Sequence, residues 1–194
     1  MLEQSKKFQS RSTCLLAITI VIGLFLTDAA NAENLMNETF EDDPETRWSY
    51  FADSVMGGVS TGQAQFISEG SESFVRLTGY VSTDNNGGFI QVRTMVENPL
   101  PAGINGIRLT VRGNGQTYFA HLRTRGMIFP WQYYQAQFEA GADWQEILIP
   151  LTEFRRSGLF LSSEPGANRI NSIGIVAYGR NHQVDVSVSE VSFY

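Results

Sequence analysis

The sequence predicts an all-β protein, an antiparallel sandwich built as a single domain. Three observations predict it. Apolar and polar side chains alternate along several segments. Turn residues separate those segments at short intervals. No stretch beyond the amino-terminal apolar run reads as a helix.

The alternation is clearest in four places. In "SFVRLTGYVS", Val75, Leu77 and Val81 oppose Phe74, Arg76, Thr78 and Tyr80. "GFIQVRTMV" sets Ile90, Val92, Thr94 and Val96 against Phe89, Gln91, Arg93 and Met95. "GIRLTVRG" sets Ile107, Leu109 and Val111 against Arg108, Thr110 and Arg112. Asn114-Gly115 then predicts a hairpin, returning as "TYFAHLR" with Tyr118, Ala120 and Leu122 opposite Phe119, His121 and Arg123. "YYQAQFEA", "WQEILIP", "INSIGIVAY" and "VDVSVSEVSF" supply further strands, and Pro150 ends one because proline cannot donate to a central ladder. Eight or nine strands are expected, with no repeat and no linker.

The amino terminus reads differently. Lys6, Lys7 and Arg11 precede the apolar run Cys14 to Leu26, and small residues follow at Ala30 and Ala32. This is the order of a cleavable export signal over residues 1–32. The run is shorter than the roughly 20 residues a membrane span needs. The expected mature chain, residues 33–194, keeps no cysteine and no lysine, so its cations are all arginine and no disulfide supports it. Its net charge is about −7, the wrong sign for nucleic acid or an anionic membrane. Export would place it in a periplasm or outside the cell.

The chemistry-bearing residues are sparse. His121 and His182 are the two histidines, no ligand cluster of zinc spacing occurs, and no nucleophile elbow or phosphate loop is present. No cofactor is expected. Carboxylates at Glu41 and Asp42, with Asp185 near the last strand, are weak calcium candidates, or simply a solvated acidic edge. Two glycine pairs stand out, in "DSVMGGVSTG" after Asp53 and in "NNGGF" from Asn85 and Asn86 to Phe89. They are either tight corners or a surface shaped for a partner.

If the Ile, Leu and Val faces point inward, Arg93, Arg108, Arg112, Arg123 and His121 lie outside. Phe89, Phe119, Tyr133, Gln91, Gln135 and Gln137 have the same parity. Rings, amides and guanidinium groups together suit a protein interface or a sugar site, and are also compatible with an ordinary solvated face. Trp48 and Trp144 read as core; Trp131, after Pro130, reads as a loop anchor.

The motif "DSVMGGVSTG", with Trp48 ahead of it and "NNGGF", Arg93, "VRGNGQTY", "YYQAQF", "WQEILIPLTEF" and "INSIGI" in order behind it, resembles the complex I intermediate-associated protein family. The resemblance runs from Phe40 to the carboxyl end. It implies a galactose-binding-like jelly roll similar to some carbohydrate-binding modules, and a non-catalytic assembly factor as the function. By the motif match Asp53, Asn85, Asn86 and Arg93 form a shared structural or contact site. An exported chain would face the opposite side of a bacterial membrane from the electron-input arm of complex I, so that partner is not carried over with the family. The expectation is an exported binding domain for an assembly intermediate of a membrane or envelope complex. The alternative is a glycan-binding module, and an enzyme acting on sugars would need two carboxylates across a cleft. The candidate contact residues are Asp53, Asn85, Asn86, Phe89, Arg93, Phe119, His121, Arg123, Trp131 and Gln137.

Overall fold

A computed structural model describes residues 36–194. The expected export signal lies outside these residues. Twelve strands build two antiparallel sheets, joined by loops and single 3-10 turns. In the back sheet the order is β3 (Thr61–Glu69), β4 (Glu72–Val81), β12 (His182–Phe193), β6 (Gly106–Gly113), β9 (Gln145–Pro150), with β1 (Asn37–Glu38) added on β12. In the front sheet the order is β10 (Arg155–Arg156), β8 (Tyr134–Ala140), β7 (Gln116–Thr124), β11 (Ile170–Tyr178), β5 (Phe89–Met95), β2 (Trp48–Ala52). No helix among the described residues is long and apolar enough to cross a membrane.

The core follows the alternation. Leu77, Leu109, Val111 and Val186 of the back sheet meet Val92, Ala120, Leu122, Ile173 and Ile175 of the front sheet, all fully or almost fully buried. Side chains of opposite parity face outward, as a two-residue period requires. Trp48 closes the core beside Phe40, and its indole N–H donates to Glu38 Oε2 at 2.9 Å. The same carboxylate accepts the Phe40 amide and two bonds from Arg47, so the first strand is tied down by a buried acid with every oxygen used.

Several expectations change. Asn114-Gly115 makes no hairpin: β6 pairs with β12 and β9, whereas β7 pairs with β11 and β8. The turn is an arch that carries the chain from one sheet to the other. The Asn114 amide donates to Asp185 of the back sheet and the Gly115 amide to Ala140 of the front sheet, so backbone bonding on both sides replaces the hairpin ladder. The expected outer arginines therefore divide. Arg93 and Arg123 lie on the front sheet; Arg108 and Arg112 lie on the back sheet, Arg108 near Glu146 and Arg112 over the rings of Phe74 and Trp144. Trp144 sits in that outer cluster, half-buried, and outside the core. Strands β1, β2, β3 and β10 come in addition to the eight segments named from the sequence; β3 is an edge strand whose Gly, Gln and Ser positions hide its alternation.

Candidate functional site

Two structures matter on the front sheet: a corner that sets its geometry and a cleft on its outer face. The corner is built on Asp53, in the 3-10 turn Asp53–Met56 that follows β2. Its side chain is fully buried. It accepts hydrogen bonds from the Ser60 amide and hydroxyl and from the amides of Gly88 and Phe89. Burial would push this carboxyl up, but the hydrogen bonds from Ser60, Gly88 and Phe89 hold it below its ordinary value, so it stays ionised. The two glycine pairs make room for it. A Cβ on Gly58 would come within 2.3 Å of Asp53 Cγ, and one on Gly87 within 2.4 Å of Asp53 Oδ2. Asn85 and Asn86 hold the left-handed backbone that brings Gly87 and Gly88 round, a conformation asparagine tolerates better than most residues. Both motifs are thus halves of one latch, and Asp53 has no surface left for a ligand.

Beside this corner lies a cleft of about 730 Å³. Its floor owes its depth to β11, the central strand. Register places Gly174 between Arg93 of β5 and His121 of β7, and Ser172 between Met95 and Arg123. A strand presenting Ser172, Gly174 and Val176 outward leaves a trough between longer side chains. On one side stand Gln91, Arg93 and Met95, with Phe51 of β2 beyond them. On the other stand His121, Arg123 and Tyr133. Asn86, Val55 and Met56 from the latch close one end; Met127, Ile128, Pro130 and Trp131 from the β7–β8 loop form a wall.

The electrostatics of the trough are set by partial burial. The Arg93 guanidinium lies 4.6 Å from the Phe51 ring centroid, a cation–π contact. Burial lowers its pKa, and burial together with the neighbouring Arg93 charge lowers that of Arg123. Arg123 also donates to the carbonyls of Phe129 and Pro130, which fixes the loop carrying Trp131. His121 stacks on Tyr133 with centroids 4.3 Å apart and planes 10° from parallel. Burial holds its pKa down to about 3, so the ring is neutral. Among the described residues, His121 Nε2 and Asn171 Oδ1 have no hydrogen-bond partner. Burial and the Tyr178 hydroxyl push the Tyr133 phenol upward.

Of the sequence candidates, Asn86, Phe89, Arg93, His121, Arg123 and Trp131 line the cleft. Asn85 is exposed at the latch. Phe119 packs edge-on to His121 and Tyr178, and Gln137, its exposed cross-strand neighbour, lies on the same face outside the cleft. The calcium candidates do not assemble: no group of three or more His, Cys, Asp or Glu side chains forms a ligand set among the described residues. Asp185 is engaged by two 2.8 Å bonds from Arg76, and the Glu41 and Asp42 carbonyls accept from Arg47. Phe51, Met56, Asn171 and Ser172 were missed. The outward parity of β11 could have found Ser172, whereas Phe51 and Met56 depend on how β2 docks. Among the described residues no Asp or Glu lines the cleft, so they place there no pair of carboxylates of the kind glycoside hydrolysis uses.

The fold has solved counterparts. A family 11 carbohydrate-binding module from Clostridium thermocellum, in complex with a β-1,3-1,4-mixed-linked tetrasaccharide, superposes with a TM-score of 0.65 at 15% identity, over 82% of this chain and 93% of that one. A family 30 carbohydrate-binding module superposes with a TM-score of 0.53 at 11% identity, over 82% and 99%. At these identities the likeness establishes the jelly-roll sandwich and nothing about the ligand. No curated protein matches the chain. The family model of complex I intermediate-associated protein 30 (CIA30) matches residues 38–187, a span that takes in the Asp53 latch, both glycine pairs and every wall of the cleft. The chain belongs to the CIA30 family.

Proposed function

We propose that this chain is an exported, non-catalytic binding domain that holds a protein partner in the front-sheet cleft, in the manner of an assembly factor for a membrane or envelope complex. The carrying observation is the composition of the cleft rim. Val55 is 71%, Met56 61%, Met95 57% and Ile128 81% exposed, and all four line the opening. Aliphatic and methionine side chains around a trough with an arginine on either side match the make-up of protein interfaces. The family membership points the same way. The test is a photo-crosslinking amino acid in place of Met95, with Thr110 on the outer back sheet as the control. A discrete protein adduct from position 95 alone is expected. Equal labelling from both positions would remove the cleft from the interaction.

A second reading is a glycan binder. It is favoured by the sugar-bound carbohydrate-binding module of the same fold and by the stacked, exposed Phe129 and Trp131 rings, 4.7 Å apart and 6° from parallel. Calorimetry against neutral and acidic polysaccharides separates the two: sugar binding in the cleft, with no adduct at Met95, selects it.

A further inference from the structure

Asp and Glu recur along the chain, yet among the described residues none lines the cleft. Outside the cleft, four arginines are ion-paired among the described residues, whereas Arg125, Arg155, Arg156, Arg169 and Arg180 are in no ion pair there and lie away from the cleft. The ion pairs among the described residues join Arg47 to Glu38, Arg76 to Asp185, Arg108 to Glu146 and Arg112 to Glu69. Arg93 and Arg123 take part in none of these. They lie on β5 and β7, on either side of β11 and two residues out of line, Arg93 level with Gly174 and Arg123 level with Ser172, which sets them diagonally across the trough, roughly 12 Å apart at the backbone. An extended segment laid along the trough therefore passes both arginines over the small residues Ser172 and Gly174. Phe51 beneath Arg93 and the two loop carbonyls bound by Arg123 fix their positions. Like charges held together and half-desolvated are stabilised by an arriving anion more than exposed ones would be.

The geometry points to an acidic, extended polypeptide segment of the partner as the occupant. Its carboxylates are received by Arg93 and Arg123, and its apolar side chains by the rim. This rests on the protein-partner reading above and names the chemistry of that partner. A peptide fits the rim better than an acidic sugar because Val55, Met56, Met95 and Ile128 offer aliphatic surface and no side-chain hydrogen bond to a hydroxyl. His121 Nε2 and Asn171 Oδ1, without partners among the described residues, supply polar contacts within the same trough.

The test titrates the full chain with synthetic peptides of equal length that alternate leucine with glutamate, glutamine or lysine, and separately with polygalacturonate. Calorimetry and tryptophan fluorescence report binding. The glutamate peptide is expected to bind about tenfold or more tightly than the glutamine peptide. Its affinity should fall as salt rises from about 0.05 to about 0.5 M. Arg93→Gln should remove most of the preference while the unfolding temperature holds. If that variant unfolds, the salt series on the unaltered chain carries the test. Equal affinity for the glutamine peptide, indifference to salt, a preference for polygalacturonate, or no binding by any peptide overturns the proposal. The two levels separate cleanly. A charge-blind peptide site that still gives the Met95 adduct overturns the acidity alone; the loss of that adduct overturns the cleft itself.

Discussion

Asp53 accepts the Gly88 amide across 35 residues of chain, and that bond joins the two glycine pairs into a single buried corner. The corner holds Phe89 and Asn86 at one end of the cleft, so the buried acid of the motif shapes the cleft without lining it.

Replacing this acid should show the effect directly. Asp53→Asn leaves the amides of Ser60, Gly88 and Phe89 facing a poorer acceptor, and should cost about 3 kcal/mol in a urea titration. Gly58→Ala should cost a comparable amount, since its methyl would overlap the carboxylate. Wild-type stability in either variant would show that the latch is idle.

Glu38 is the second structural acid. Burial raises its pKa, but bonds from Arg47, Trp48 and the Phe40 amide more than offset this, leaving it below the ordinary value. Both carboxyls therefore stabilise the fold fully above about pH 4 and lose that contribution as pH falls through their lower folded values. Glu38→Gln should destabilise by about 2 to 3 kcal/mol at neutral pH and flatten stability below about pH 4, as followed by thermal unfolding.

His121 acts at higher pH. Free imidazole protonates near pH 6.5, whereas His121 in the fold resists until about pH 3. The unfolded chain binds the extra proton in between, so stability declines as pH drops through that window, by up to about 1.4 kcal/mol per unit. His182, lowered by its own burial, adds in the same direction. His121→Phe keeps the stack on Tyr133 and should remove about one proton from the slope between about pH 6.5 and pH 4.5. An unchanged slope would mean that the ring titrates freely.

Gly174→Val fills the trough at its centre. The new Cβ meets Gln91 Oε1 at 3.2 Å and the Val92 carbonyl at 3.4 Å, and the glutamine end can move. The fold should survive within about 1 kcal/mol while the Met95 crosslink disappears. Retained crosslinking in the folded variant would place the partner elsewhere.

Strands such as β5 and β7 were legible because each buries one face only. Ile90 and Val92, or Tyr118, Ala120 and Leu122, announce the period in a handful of residues. Arg93, His121, Arg123 and Trp131 could be singled out for the same reason, since parity put three of them outside and Pro130 put the fourth on a loop. Sheet membership was not legible. Asn114-Gly115 carries hairpin chemistry yet spans two sheets, because the bonds that decide it come from Asp185 and Ala140, distant in sequence. Nor was the depth of the cleft, which depends on Gly174 lying between two strands that lie far from it in the chain.

The arch at Asn114–Gly115 belongs to a wider pattern in which the two sheets draw their strands from all along the chain. The last strand, β12, lies at the centre of the back sheet between β4 and β6. The back sheet therefore cannot close until β12 is in place: β3 and β4 are joined to β6 and β9 only through it, so that layer waits on pairings between segments far apart in the chain.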